Sequence, residues 1–187
     1  MTERAGPLSA WDAIRTKRAI RHFAERPLAA EDLDRILDAG RHAASSKNQQ
    51  RWDFIVCRDR AHLAELASVG PWAGHLARAV VAIALVSPDP RTGEAPLSIF
   101  FDLGQAAANM QLAAWELGIG SVPATVYDHD LARRSLGYPA DRYCEFLLSF
   151  GYPASPQALR LPPNAGIPRG RRPLGDVVSW ERFGTRQ

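Results

Sequence analysis

The longest uninterrupted apolar run, Ala79 to Val86, is bounded by Arg78 and by a proline-rich stretch from Ser87 to Pro96. A run of this kind predicts a strand buried on both faces and is too short to cross a membrane. Upstream, Pro7 to Trp11 opens a helix whose Leu8, Trp11 and Ile14 share a face and which fades near Lys17. After the connector Phe23 to Pro27, a second helix is predicted from about Ala30. Leu33, Ile36, Leu37 and Gly40 form its inner stripe, and Glu31, Asp32, Asp34 and Arg35 face water. Trp52 to Arg58 reads as a strand, and residues 59–68 as a short helix broken by Gly70-Pro71-Trp72. A long helix is predicted from about Leu97 to Leu117, closed by Gly118-Ile119-Gly120. Val122 to Tyr127 reads as extended, Asp130 to Leu136 as a short helix, and Tyr143 to Phe150 as a strand closed by Gly151-Tyr152-Pro153.

This order predicts an α+β or α/β chain with a small sheet covered by helices, in one domain over residues 1–187. Residues 154–187 form an extended C-terminal arm rich in proline and small residues at its start. The long helix carries two apolar stripes. Phe100, Leu103, Ala107, Met110, Ala114 and Leu117 form one, and Phe101, Gly104, Ala108, Leu112 and Trp115 the other. A helix apolar on two sides is buried on both. One side is assigned to a subunit interface in preference to a monomer core, because Gly104 and Ala108 permit close helix approach.

Composition narrows the classes. With 187 residues, 46% of them hydrophobic, the chain can bury a proper core. A net charge of +3 with no dense basic tract argues against nucleic acid as partner. The N-terminus lacks the apolar segment of a signal peptide. Cys57 and Cys144 both sit in apolar runs and read as buried free thiols in a reducing cytoplasm. The five histidines show no metal-ligand spacing, and neither GxGxxG nor GxxxxGK[ST] is present.

Three segments are chemically pointed. Lys17-Arg18-Ala19-Ile20-Arg21 places three cations in five residues, and Arg169-Gly170-Arg171-Arg172 forms a second basic cluster near the other end. Together they suit a small polyanion such as a phosphate, while either one alone reads more readily as solvated surface charge. Between them, Ala44-Ser45-Ser46-Lys47-Asn48-Gln49-Gln50-Arg51 is a loop without Gly or Pro. Its hydroxyls and amides offer directional hydrogen bonds.

These segments, in this order, resemble the nitroreductase family over about Ala13 to Val178. Lys17 to Phe23 is similar to the family's opening Arg-Arg-Ser-x-Arg-x-Phe motif, and Ala44 to Trp52 to its Pro-Ser-x-x-Asn-x-Gln-Pro-Trp loop. Leu117 to Val126 resembles the stretch beside the flavin N5 edge, and Arg169 to Leu174 the C-terminal basic motif. The resemblance implies a nitroreductase-like α+β fold: a small mixed sheet flanked by helices, a long central dimer-interface helix and a C-terminal arm. It implies a homodimer with FMN at the subunit interface, and NAD(P)H as donor in a ping-pong hydride transfer to a nitroaromatic, quinone or other small-molecule acceptor. The cofactor-binding residues it implies are Lys17, Arg18, Ala19 and Arg21 from the first motif and Ala44, Ser45, Ser46, Asn48 and Gln50 from the loop. Pro123, Ala124, Thr125 and Val126, with a backbone N–H from Thr125-Val126 at flavin N5, and Arg169, Arg171 and Arg172 complete the set. No dedicated acid or base is implied, because the flavin carries the chemistry.

The chain departs from the family pattern at Ala19, where a serine is usual, and at Ala44 and Arg51, where prolines are usual. Arg51 adds a charge that favours an acidic substrate or simply lies on the surface. Oxidase, dehalogenase or flavin-fragmenting activity on the same fold, and FMN storage with little turnover, stay open. Trp72 and Phe101 are candidates for a pocket wall or for core, and Asp102 and Glu116 for satisfied structural carboxylates.

Overall fold

The computed structural model describes residues 8–92, 95–159 and 170–186. Six helices, α1 (Ala10–Thr16), α2 (Ala30–Arg41), α3 (Arg60–Leu66), α4 (Ser98–Glu116), α5 (His129–Leu136) and α6 (Leu174–Val177), alternate with strands β1 (Asp53–Cys57), β2 (Val81–Pro88), β3 (Gly120–Thr125) and β4 (Arg142–Gly151). Short 3-10 turns at Ser46–Asn48 and Gly74–Arg78 complete the part that positions the site. The sheet runs β1-β2-β4-β3, with every neighbouring pair antiparallel. Among the described residues the parallel part of the expected mixed sheet is confined to the bridge between Ala19 and Ser121.

The apolar run of β2 is buried on both faces because the sheet is a middle layer. Val81, Ile83 and Leu85, with Leu148 and Phe150 of β4, pack against Leu33 and Ile36 of α2 and Leu103, Met110 and Ala114 of α4. The alternate residues, Ala82, Ala84 and Val86, meet Leu63 and Leu66 of α3 and Leu136 of α5. Each large side chain so enclosed stabilises the fold by about 1.5–3 kcal/mol. Helices α2 and α4 touch at Gly40, where a Cβ would stand 2.2 Å from Met110 Cε. Any larger residue there would have to displace the Met110 side chain. A third cluster seats α1: Ala13, Ile20 and Phe23 surround the Trp115 ring, and Trp115 Nε1 donates to Thr16 Oγ1 at 3.0 Å.

Two expectations about helix faces need correction. On α1 the inward residue is Ala13, while Trp11 and Ile14 are 69% and 56% exposed. The indole of Trp115 docks α1 through its small face, so of the predicted apolar face Leu8 packs against this cluster while Trp11 and Ile14 point outward. On α4 the second stripe divides. Trp115 belongs to the chain's own core, while Phe101 is 71% exposed and Gly104 has open space where a side chain would be. The two carboxylates on α4 are satisfied as anticipated: Asp102 accepts from the Ser46 N–H at 3.1 Å, and Glu116 pairs with Arg35 at 2.6 Å.

Cys57 and Cys144 are free and buried. Burial pushes the Cys57 thiol up to about 11 and that of Cys144 to about 12. Neither forms a thiolate near pH 8, so both are expected to resist an aromatic disulfide reagent in the folded protein and to react stoichiometrically in denaturant. Rapid labelling of the native protein would contradict this burial. Among the described residues, no helix is long and apolar enough to cross a membrane.

Candidate functional site

Lys17 caps α1, its N–H donating to Ala13 O at 2.9 Å. The chain then runs extended along the edge of β3. Ile20 N–H donates to Ser121 O at 3.1 Å, and the Ile20 side chain lies flat on Gly120, where a Cβ would stand 2.6 Å from Ile20 Cβ. Phe23 bridges Pro153 and covers Gly151 in the same manner. Burying Ile20 and Phe23 leaves the alternating residues Ala19 and Arg21 on the exposed side. The opening motif and the β3 motif, about a hundred residues apart in sequence, are thereby zipped together.

Arg21 and Pro123 line one cavity of about 450 Å³, with His22, Trp72, His75 and Arg78. Pro123 fits on β3 because β3 is an edge strand and needs no N–H donor on its outer side. Val126 does not meet its expectation: its N–H donates to Glu145 O at 2.9 Å and its side chain is core. Ala124 is also buried in that core. Strand alternation turns the backbone groups of Ser121 and Thr125 to the outer edge, so the expected donor narrows to the Thr125 N–H.

At the other end of the opening segment, Lys17 meets the C-terminal arm. Burial, reinforced by the cation of Arg171, holds the Lys17 ammonium below its ordinary value. Among the described residues no carboxylate forms an ion pair with either. Two like charges held together without a counter-ion suit a dianionic phosphate, which would neutralise both. Arg18 donates to Thr16 O at 3.0 Å. Arg172 is turned to the short helix α6 that follows it, donating to Asp176 O at 2.6 Å. Arg169 lies outside the described residues.

The polar loop is not part of this gathering within one chain. Its hydrogen bonds run within itself and to α4. Gln50 N–H donates to Ser45 Oγ at 3.0 Å, Gln50 Nε2 to Asn48 Oδ1 at 3.1 Å, and Gln105 Nε2 to Ala44 O at 3.2 Å. Lys47, Asn48 and Gln50 all have positive φ, at 54°, 53° and 47°. Left-handed non-glycine residues cost about 1–3 kcal/mol each and cluster at functional sites. The loop thus carries strain to hold its amides outward, beside the exposed Phe101–Gly104 face of α4.

His75 was not singled out as a binding residue by the sequence, while Trp72, a candidate for a pocket wall or for core, lines the cavity. Trp72 is 78% exposed, so core is not its role. His75 Nδ1 lies 2.9 Å from Ser149 Oγ, whose hydroxyl also reaches Val122 O at 3.2 Å. Burial and then the Arg21 cation hold His75 below its ordinary value, opposed by a backbone contact at Pro123. A depressed histidine contributes stability that is present above its unfolded value, about 6.5, and is lost as pH falls through the folded one. The urea midpoint is therefore expected to drop between pH 7.5 and 5 more steeply in the natural protein than in His75→Gln. Parallel pH profiles would show that His75 is not held neutral. A Trp placed in a Gly/Pro turn, off any apolar stripe, was the available signal for this wall of the cavity.

A covered sheet with an open edge strand, a paired basic mouth and an adjoining cavity defines a scaffold for a phosphorylated ligand. The chain belongs to the nitroreductase family, whose model matches residues 14–152, and its general role is that of an oxidoreductase. It is 37% identical over 145 residues, 75% of this chain and 83% of the relative, to a protein of Archaeoglobus fulgidus provisionally named an NADH dehydrogenase/NAD(P)H nitroreductase. Among solved structures, it resembles an FMN-dependent nitroreductase from Clostridium difficile with a TM-score of 0.70 and 28% identity, covering 76% of this chain and 87% of the other. It also resembles a provisional nitroreductase from Desulfovibrio desulfuricans, solved in complex with FMN, with a TM-score of 0.74 and 28% identity over 92% and 96% of the two chains. Among the described residues no cluster of His, Cys, Asp or Glu could hold a metal ion.

Proposed function

We propose that the protein binds FMN and transfers hydride from NAD(P)H to a nitroaromatic, quinone or other small oxidant, acting as a homodimer with its sites at the subunit interface. The cavity that gathers Arg21 and Pro123 beside the β3 edge carries this reading, and the Arg171 cation, felt at Lys17 from the opposite end of the chain, supports it. The relatives' names, one FMN-dependent and one solved with FMN, support it. FMN, when bound, supplies the centre that accepts and donates hydride. Lys17 and Arg171, with Arg169 in the same motif, would neutralise its phosphate. Arg21, lining the cavity with Pro123, would favour negative charge on the polar edge of the ring, and the outward Thr125 N–H would serve as a donor there. Asn48, Gln50, Ser45 and Ser46 would complete the neighbouring subunit's site, reached across the exposed α4 face. Trp11, Ile14 and Phe101, left uncovered within the chain, supply apolar area for that contact.

The test is visible absorbance. The purified protein is expected to be yellow or to take up FMN stoichiometrically, to bleach anaerobically with NADH or NADPH, and to recolour with a nitroaromatic. A protein that remains colourless with excess FMN would refute the reading. One that stays yellow with both donors would instead be a store of FMN or draw electrons from another donor.

A further inference from the structure

Three segments far apart in sequence converge at the end of the sheet where β1 stops and β2 begins. The 24–28 connector is pinned there by the Ala24 N–H on Tyr152 O at 2.8 Å. Arg58 and Arg60 follow β1 into α3, and Arg78 precedes β2. Between them lies a cavity of about 410 Å³, lined by Arg26, Arg58, Arg60 and Arg78 with Glu25 as its single carboxylate. Those five side chains give this one cavity a positive excess as large as the whole chain's net +3.

Two of the four arginines are anchored. Arg60 Nη1 donates to Ala79 O at 3.0 Å, and the Arg26 guanidinium lies 3.9 Å over the Tyr152 ring. Both are thereby held against the cavity wall. Arg58 and Arg78 make no hydrogen bond or ion pair among the described residues. The obvious sequence partner, Asp59, is spent on capping α3, where its Oδ1 accepts from the His62 N–H at 2.8 Å. Four guanidiniums line this one cavity with a single carboxylate, so an anion entering it would meet a positive lining. The remaining wall is apolar, from Leu28, Val80 and Val81.

We propose that this cavity is a second anion site, distinct from the Lys17–Arg171 mouth, which binds the phosphates of a small organic phosphate of nucleotide size. Planar guanidinium forks match phosphate oxygens two at a time, and the apolar wall accepts the organic body. The volume lies in the range of about 300–1,000 Å³ usual for small-molecule sites. Arg78 lines both this cavity and the one holding Arg21, so the two sites adjoin. The site does not depend on the FMN reading.

Calorimetric titration of the full chain with ADP, in the presence of excess FMN, tests this. One saturable site per chain is expected, weakened at least about tenfold in Arg58→Glu, weakened in Arg26→Ala and by added salt, and unchanged in Arg134→Ala. Inorganic pyrophosphate distinguishes the sources. Weaker binding than ADP assigns the site to a nucleotide, and equal binding assigns it to phosphate groups irrespective of the body. The proposal is overturned by the absence of saturable binding, by equal affinity in Arg58→Glu and the natural protein, or by loss of ADP binding when FMN is added. The last result would place the ligand at the Lys17–Arg171 mouth. Circular dichroism of Arg58→Glu checks its fold, which the change should leave intact because Arg58 is exposed.

Discussion

Replacing Lys17 and Arg171 together by alanine is expected to lower FMN affinity by at least about 100-fold, measured by equilibrium dialysis of the protein stripped of flavin. A charge-assisted hydrogen bond contributes about 1.5–3 kcal/mol, and two are removed. The same change should not weaken the flavin-free fold. Lys17 is held below its ordinary value by burial and by Arg171, so at neutral pH its charge opposes folding. Deleting either cation relieves that repulsion, and the stripped double variant is expected to unfold at the same urea concentration as the natural protein or a higher one. Lost affinity with undiminished stability is the signature of charges kept for a ligand. Arg134→Ala, an exposed charge on α5, should retain FMN within twofold. Equal retention in the double variant and in Arg134→Ala would remove the phosphate assignment.

Trp115→Ala should be the most damaging single change to the fold, at about 3–5 kcal/mol of unfolding free energy. That is a large share of the roughly 5–15 kcal/mol that holds a domain of this kind. The ring is 1% exposed, seats Ala13, Ile20 and Phe23, and donates to Thr16. Its loss undocks α1 and loosens the segment that carries Lys17 and Arg21, so FMN retention should fall with stability. Trp115→Phe keeps much of the area but leaves Thr16 without its donor, and should fall between. Trp72→Ala is the contrast: an exposed indole on the cavity rim, expected to leave the urea midpoint within about 0.5 kcal/mol of the natural protein. If Trp115→Ala and Trp72→Ala prove equally stable, the third core cluster does not anchor α1.

The elements were legible where their signal is local. The uninterrupted run before Ser87 reads as a strand enclosed on both sides, and β2 is that strand. The paired stripes of α4 correctly announced a helix with two apolar sides, but not which side the chain itself would cover. That depended on Trp115 reaching Thr16, a contact 99 residues apart in sequence. The outward turn of Trp11 and Ile14 has the same origin, since periodicity gives a helix's apolar face without saying where the neighbouring element lies.

By itself, the sequence determined the α+β order of elements, the buried strand, the long two-sided helix and the four motifs of a nitroreductase relative. Each rests on residues close together along the chain, where backbone preference and hydrophobic periodicity act directly. Only the tertiary structure decided that Ile20 lies on Gly120, that the Arg171 cation is felt at Lys17, and that Thr125 rather than Val126 turns its backbone donor to the outer edge. It alone gathered His75 and Trp72 around Arg21, and Arg26, Arg58, Arg60 and Arg78 around a second cavity. Charges scattered over some fifty residues look like ordinary solvated surface in the sequence, because their energy depends on distances that folding sets.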